Sequence, residues 1–389
     1  MNTAVLSQTQ AHTHSPQDAT IKNYHIKGQL LLSLYLIIPL CFLVALIDYM
    51  YLGNQLRDKW LPTNPTSLVL WAILFNFPHI VSSVVTLADK EYLHFYKRKF
   101  IFGLIVIVSL VLSVDFIAPL VFPKATARNI YSAFFVFFSV YTMYHVLSQQ
   151  LGIGMMLMKL PRTKQFESLR ILSTIAGTLM YLNIFGGRLL NNLNVGNITG
   201  YGLIQVLGGV FVILAIIQGL LVTRGSKSRT GTWYIYSNLI MLLAVYAFLW
   251  LDYYIFVIAI PRFVHDITAF IIYSVHDQNR NAVVKHNFIY RWLSFLPIAP
   301  IVLCSILAVL LANTIECGTY MLDVSLGFYA KGSSECFIRN FYSPQPTTDL
   351  PFTMRIGLQI SLIVALFHYY IEGFVWKRES IHRHSVAFT

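Results

Sequence analysis

Charge is what this sequence has least of. Only 11% of its 389 residues are charged, against 56% that are hydrophobic, and a soluble domain carries roughly 25% charged residues. Water cannot solvate so poor a surface, so lipid is expected to be the main solvent. No basic run is interleaved with aromatics on a polar domain, which excludes nucleic acid as the partner behind the net charge of +12. The polar stretch 1–27 lacks an apolar core and a small-residue cleavage site, so no cleaved signal peptide is expected. It reads as a disordered tail whose His12 and His14 are solvated. No internal repeat is visible.

Long apolar runs are what the chain has in plenty. Every backbone N–H and C=O inside a bilayer needs a partner, so only helices and closed barrels span it, and runs of about 20 residues mean helices. Ten segments qualify, at about 29–52, 67–88, 100–122, 129–152, 168–186, 201–223, 232–251, 253–276, 291–312 and 354–376. The seventh and eighth are separated only by Asp252 and its neighbours. The expected fold is an all-α integral membrane protein, a bundle of about ten transmembrane helices over 28–376. A cytoplasmic tail precedes it at 1–27 and another follows at 377–389.

Basic residues orient the bundle. With Arg262 inside a span, alternating loops carry nineteen Lys and Arg on one side and eight on the other, which predicts both termini in the cytoplasm of a multi-pass protein of the bacterial inner (cell) membrane. Cys317 and Cys336 then fall in the longest outer loop, 313–353, where an oxidising compartment favours a bridge between them. Cys41 and Cys304 lie within spans and read as packing residues.

Ionisable groups are expensive in a bilayer and mark function by default. Here they gather on the second, fourth, eighth and tenth segments, which carry His79, His145, His265 with His276, and His368. Among the odd-numbered segments only Asp48 and Asp115 compare, both lone groups near the outer ends. The eighth segment reads IPRFVHDITAFIIYSVHDQNRN. His265 and His276 are eleven residues apart, about 20° from three full turns, so they share a face. Asp266 and Asp277 share one likewise, and Arg262 stands one turn before Asp266. The tenth reads ALFHYYIEGFVWK, with His368 and Glu372 at the i,i+4 spacing that offers one ion two ligands, or a ligand and its orienting carboxylate. In the second, Asn76 and Pro78 flank His79; in the fourth, Gln149 lies one turn from His145. His94, His286, His382 and His384 read as loop histidines near lipid headgroups.

Imidazole with carboxylate suits non-haem iron, manganese or zinc, and no cysteine lies at this depth to argue for thiolate or iron–sulfur ligation. The expected metal ligands are His79, His145, His265, His276, His368, Asp277 and Glu372, more than one zinc needs, which favours iron as one or two ions. Glu372 and Asp266 are expected to take part in catalysis or to orient ligands, and Tyr273 to relay protons or to pack. A redox metal in an apolar bundle suits O2-dependent hydroxylation, desaturation or oxidative cleavage of a lipophilic substrate, with electrons from a cytoplasmic donor. The HxxxH and HxxHH boxes of integral-membrane desaturases do not occur. In placing single histidines on separate helices the chain resembles, in kind, the bacterial carotene-cleaving membrane dioxygenases, which implies an iron oxygenase. Two other classes stay open. One is a haem-b electron-transfer protein, built on two facing histidines. The other is a proton- or metal-coupled transporter, with Pro78 and Pro261 breaking two helices at comparable places.

Overall fold

Helices begin where the sequence supplies an acceptor for their orphaned amide groups. In the computed structural model, which describes residues 24–61, 75, 77–186, 190, 194–325, 356–377 and 380–389, Asp89 caps the helix Lys90–Val121 by accepting from Glu91 N at 2.8 Å. Thr163 caps Lys164–Phe185, Thr199 caps Gly200–Thr223 and Ser228 caps Arg229–Trp250 in the same way. In chain order the bundle consists of α1 (Gly28–Leu52), α2 (Phe77–Leu87), α3 (Lys90–Val121), α4 (Lys124–Met158) and α5 (Lys164–Phe185). It continues with α6 (Gly200–Thr223), α7 (Arg229–Trp250), α8 (Tyr254–Asn281), α9 (Pro300–Ser325) and α10 (Ile356–Val375). Eight of these are long and apolar enough to cross a membrane; α2 and α10 are shorter over the described residues. Leu36, Leu40 and Leu43 on α1, and Val206, Val210, Ile213 and Ile217 on α6, are exposed. That is where lipid is expected to take the place of protein.

Four helices enclose the centre. α8 packs on α2 and α4, and α10 packs on the same two, so that α2, α8, α4 and α10 form a closed ring. Close approach needs small residues at two points. A side chain at Gly231 would collide with the backbone of Leu157 and Met158 where α7 meets the end of α4. One at Gly103 would collide with the ring of Tyr370, which seats α10 against α3.

Two segments depart from the sequence reading. The ninth was expected at 291–312, yet a short helix, Phe288–Trp292, is followed by a break and α9 runs from Pro300 to Ser325. Pro297 biases Leu296 away from helix, and Pro300 starts the new helix where its missing N–H costs nothing. The expected loop 313–353 therefore begins as helix. The expected tail at 377–389 is docked. Ala387–Phe388 pairs in parallel with His25–Ile26, Gly28 N donates to Thr389 O at 2.7 Å, and Thr389 N donates to Ile26 O at 2.9 Å. Both described chain ends thus meet on one face of the bundle. The turn between α7 and α8 is tight as expected, with Asp252 at φ +60°. Cys41 and Cys304 are buried free thiols. Cys336, and with it the expected bridge to Cys317, lies outside the described residues, as does Asn76.

Candidate metal centre

The ring of four helices brings four imidazoles to one point. Ring centroids of His79 and His265 are 5.0 Å apart, His265 and His145 5.1 Å, His145 and His368 4.9 Å, and His368 and His79 5.1 Å. The order around this ring of side chains is the order around the ring of helices. His79 and His265 are 0% exposed, His368 1% and His145 7%. The ligand atoms of His79, His145 and His265 lie within 4.8 Å of one another, and so do those of His145, His368 and Glu372. The two groups share His145, so five side chains face a common space.

Hydrogen bonding leaves the ligating atoms open. The Ser83 hydroxyl donates to Ile80 O at 2.6 Å, and its oxygen is 2.8 Å from His368 Nδ1. With its one proton committed, Ser83 must accept from Nδ1–H, which leaves Nε2 of His368 with its lone pair. His79 Nδ1 lies 3.2 Å from Asp266 Oδ1, which is 3.7 Å from Arg262. Asp266 thus lies beside His79 Nδ1, within ion-pair distance though not in hydrogen-bond alignment with it. Tyr273 donates to Glu372 Oε1, while Oε2 lies 3.5 Å from His145 Nε2. Tyr369 stacks on the His145 ring at 4.4 Å and fixes its plane.

The Nε2 atoms of His79, His145, His265 and His368, together with Oε2 of Glu372, are buried without a hydrogen bond. Each orphaned polar atom costs about 1–3 kcal/mol. Five come to roughly 10 kcal/mol, comparable to the whole stability of a domain, about 5–15 kcal/mol. A shared cation removes that cost. A metal–nitrogen bond of about 2.1 Å puts a ring centroid about 3.2 Å from the ion, so imidazoles 90–110° apart have centroids about 4.5–5.2 Å apart. The observed separations of 4.9–5.1 Å fit four histidines around one ion. Glu372 stands beside them as a further ligand or as an acceptor for a ligand's proton.

Not every expected residue is here. His276 and Asp277 sit in a separate network. His276 Nδ1 is 2.9 Å from Asp277 Oδ1, and Nε2 is 3.0 Å from the hydroxyl of Tyr92. Tyr290 donates to Asp277 Oδ2. Both ring nitrogens and both carboxylate oxygens are engaged, so neither residue offers a ligand atom. In-phase spacing had grouped them with His265, but eleven residues along a helix are about 16 Å. Of the histidines expected in loops, His286 is exposed as expected and His94 is exposed but lies on the first turns of α3, whereas His382 is 0% exposed. It stacks on Tyr92 at 3.6 Å and on His276 at 5.3 Å. Burial, with His276 and Arg280 nearby, pushes its pKa down to about 2. Nor is Asp48 a lone group: it accepts from Leu56 N at 2.9 Å, Arg57 N at 3.0 Å and Tyr253 at 2.8 Å.

Ser83 was not anticipated, although it stands four residues after His79 and so shares its face of α2. Trp376, one turn after Glu372 and 5.4 Å from Tyr273, was missed as well. The chain matches no protein-family model, no curated protein and no solved structure.

Proposed function

We propose that this chain is a membrane-embedded non-haem metal oxidoreductase, with iron as its metal, acting with O2 on a lipophilic substrate. The observation that carries this reading is the closed ring of His79, His265, His145 and His368, with centroids 4.9–5.1 Å apart and ligating nitrogens buried without partners. Nitrogen and carboxylate donors with no thiolate among them suit iron, manganese or zinc. The four histidines would hold iron, which would bring the reactivity toward O2. Haem b suits the site less well. Its porphyrin needs a slot between two imidazoles, and here each imidazole has two others within 5.1 Å of its centroid.

Bound iron would supply the O2 chemistry, and the chain's own groups would do the rest. Ser83 holds the ring of His368 in orientation, and the Asp266 carboxylate lies beside that of His79. Glu372 and Tyr273 share a proton at the edge of the site and can lend or take it during reaction. Burial excludes bulk water from whatever reactive species forms. Oxidative cleavage places both atoms of O2 on the two carbonyl products and needs no outside electrons. Hydroxylation and desaturation each take two electrons and two protons from a cytoplasmic donor and release water. The basic-residue count supports placing the chain ends, and the docked segment 380–389, on the cytoplasmic side of the cell membrane.

Elemental analysis of full-length protein purified in detergent tests the proposal. Iron near one per chain, with no Soret band, is the expected result. No transition metal after expression in iron-replete medium overturns it, zinc alone removes the redox chemistry, and a Soret band transfers the site to haem b.

A further inference from the structure

An apolar cavity lies between α4, α5, α7 and α8. Its empty volume, open mouth included, is about 620 Å³. Met143, Gly177, Met180 and Met241 form much of its wall, and Thr142 and Arg262 are its main polar members. Thr142 stands one helical turn before His145 and Arg262 one turn before His265. The cleft therefore comes within one helical turn of the metal-binding ring along both helices, with none of the ring's side chains in its wall.

Two observations narrow what could lie there. The hydroxyl of Thr142 is buried, with the residue 3% exposed, and has no hydrogen-bond partner; it lines the cleft with a donor to give. The cationic group beside it is balanced, since Arg262 is 3.7 Å from Asp266. An anion entering the cleft would have to compete with Asp266 for the arginine, while a neutral oxygen would meet only donors. Methionine side chains adapt to chains of varied shape.

Resting on the oxidoreductase reading above, we infer that this cleft binds the substrate, an uncharged long-chain lipid carrying a hydroxyl or carbonyl oxygen that Thr142 holds beside the metal-binding ring. Gly177 keeps the cleft open. A side chain there would begin 3.1 Å from the Leu147 methyl and 3.4 Å from the Met143 sulfur, so a larger residue fills the space that the lipid needs.

The test uses full-length protein in nanodiscs and three photoactivatable diazirine probes: a hexadecanol analogue, the matching fatty acid and the matching hydrocarbon. The alcohol is expected to label the α4 and α5 peptides that contain Met143 and Met180, and to do so better than the acid. Gly177→Leu should cut that labelling about tenfold. Thr142→Val, which keeps the shape and should fold as the parent does, should weaken the alcohol about fivefold and leave the hydrocarbon unchanged. Parental labelling in Gly177→Leu, an equal effect of Thr142→Val on alcohol and hydrocarbon, or stronger labelling by the acid overturns the inference. The same labelling on protein that binds no metal upholds the cleft and sinks only the oxidoreductase reading. Absent labelling on protein that holds iron sinks the cleft alone.

Discussion

One helix carries the same dipeptide twice, and its surroundings treat the two copies in opposite ways. His265–Asp266 and His276–Asp277 share a face of α8, about 16 Å apart along its axis. At the lower copy Tyr92, Tyr290 and the paired side chains satisfy every ring nitrogen and carboxylate oxygen. At the upper copy both nitrogens of His265 are buried without a hydrogen bond, beside three more imidazoles whose Nε2 atoms also lack one. Identical residues thus serve as a finished clasp in one place and an unfinished ligand set in the other. What separates them is the account of donors and acceptors around each, not residue type or depth of burial.

The sharpest way to break that comparison is to remove one histidine from each side. His145 belongs to both ligand groups, so His145→Ala should lower bound metal from about one to below about 0.1 per chain, measured by plasma mass spectrometry. His276→Ala should leave the metal in place. Equal loss in both variants would erase the distinction between the clusters.

Next in size is the clasp itself. Asp277→Ala takes the carboxylate from His276 Nδ1 and the Tyr290 hydroxyl, and should cost about 2–5 kcal/mol in a denaturant titration with metal content unchanged. Ser83→Ala frees Nδ1 of His368 to swing, and should weaken metal affinity about tenfold in a chelator competition. An unchanged affinity would mean that packing alone orients that ring.

The smallest expected effect is on the docked C-terminal segment. His382 faces His276, Tyr92, Tyr96 and Trp376, with Arg280 close enough to add to the repulsion. Its folded pKa is depressed to about 2, against an ordinary value of about 6.5. Both states hold it neutral above pH 6.5, so nothing is lost there. Below 6.5 the undocked segment takes up a proton that the docked one refuses, and docking weakens steadily as pH falls toward 2. Limited proteolysis near the C-terminus should therefore be faster at pH 5 than at pH 8, and His382→Phe should flatten the difference. A pH difference that persists in His382→Phe would assign the sensitivity to another group.

Much of this was legible from residue spacing. Nine of the ten apolar segments fall on helices over the described residues, several of them longer than the apolar run, because burial in lipid leaves the backbone no other way to pair. His368 with Glu372, and His79 with Ser83, obey the four-residue rule of a helix face. The misreadings come from what spacing along one helix cannot state. Periodicity gave His265 and His276 a common azimuth, and only the rise per residue separates them. His382 looked like a loop residue because its burial depends on a strand pairing with His25–Ile26, more than 350 residues away in sequence. The break before α9 was readable in Pro297 and Pro300, but apolar content across 291–312 concealed it.

The parallel pairing of the two chain ends has a bearing on biosynthesis. His79, His145 and His265 are all present once α8 has been made, so three of the four imidazoles can come together while the ribosome is still at work. His368 and Glu372 arrive with α10, and the contact from Gly28 to Thr389 forms only after Thr389 has been made. The histidine ring is thus assembled before the contact that fastens its helices from outside.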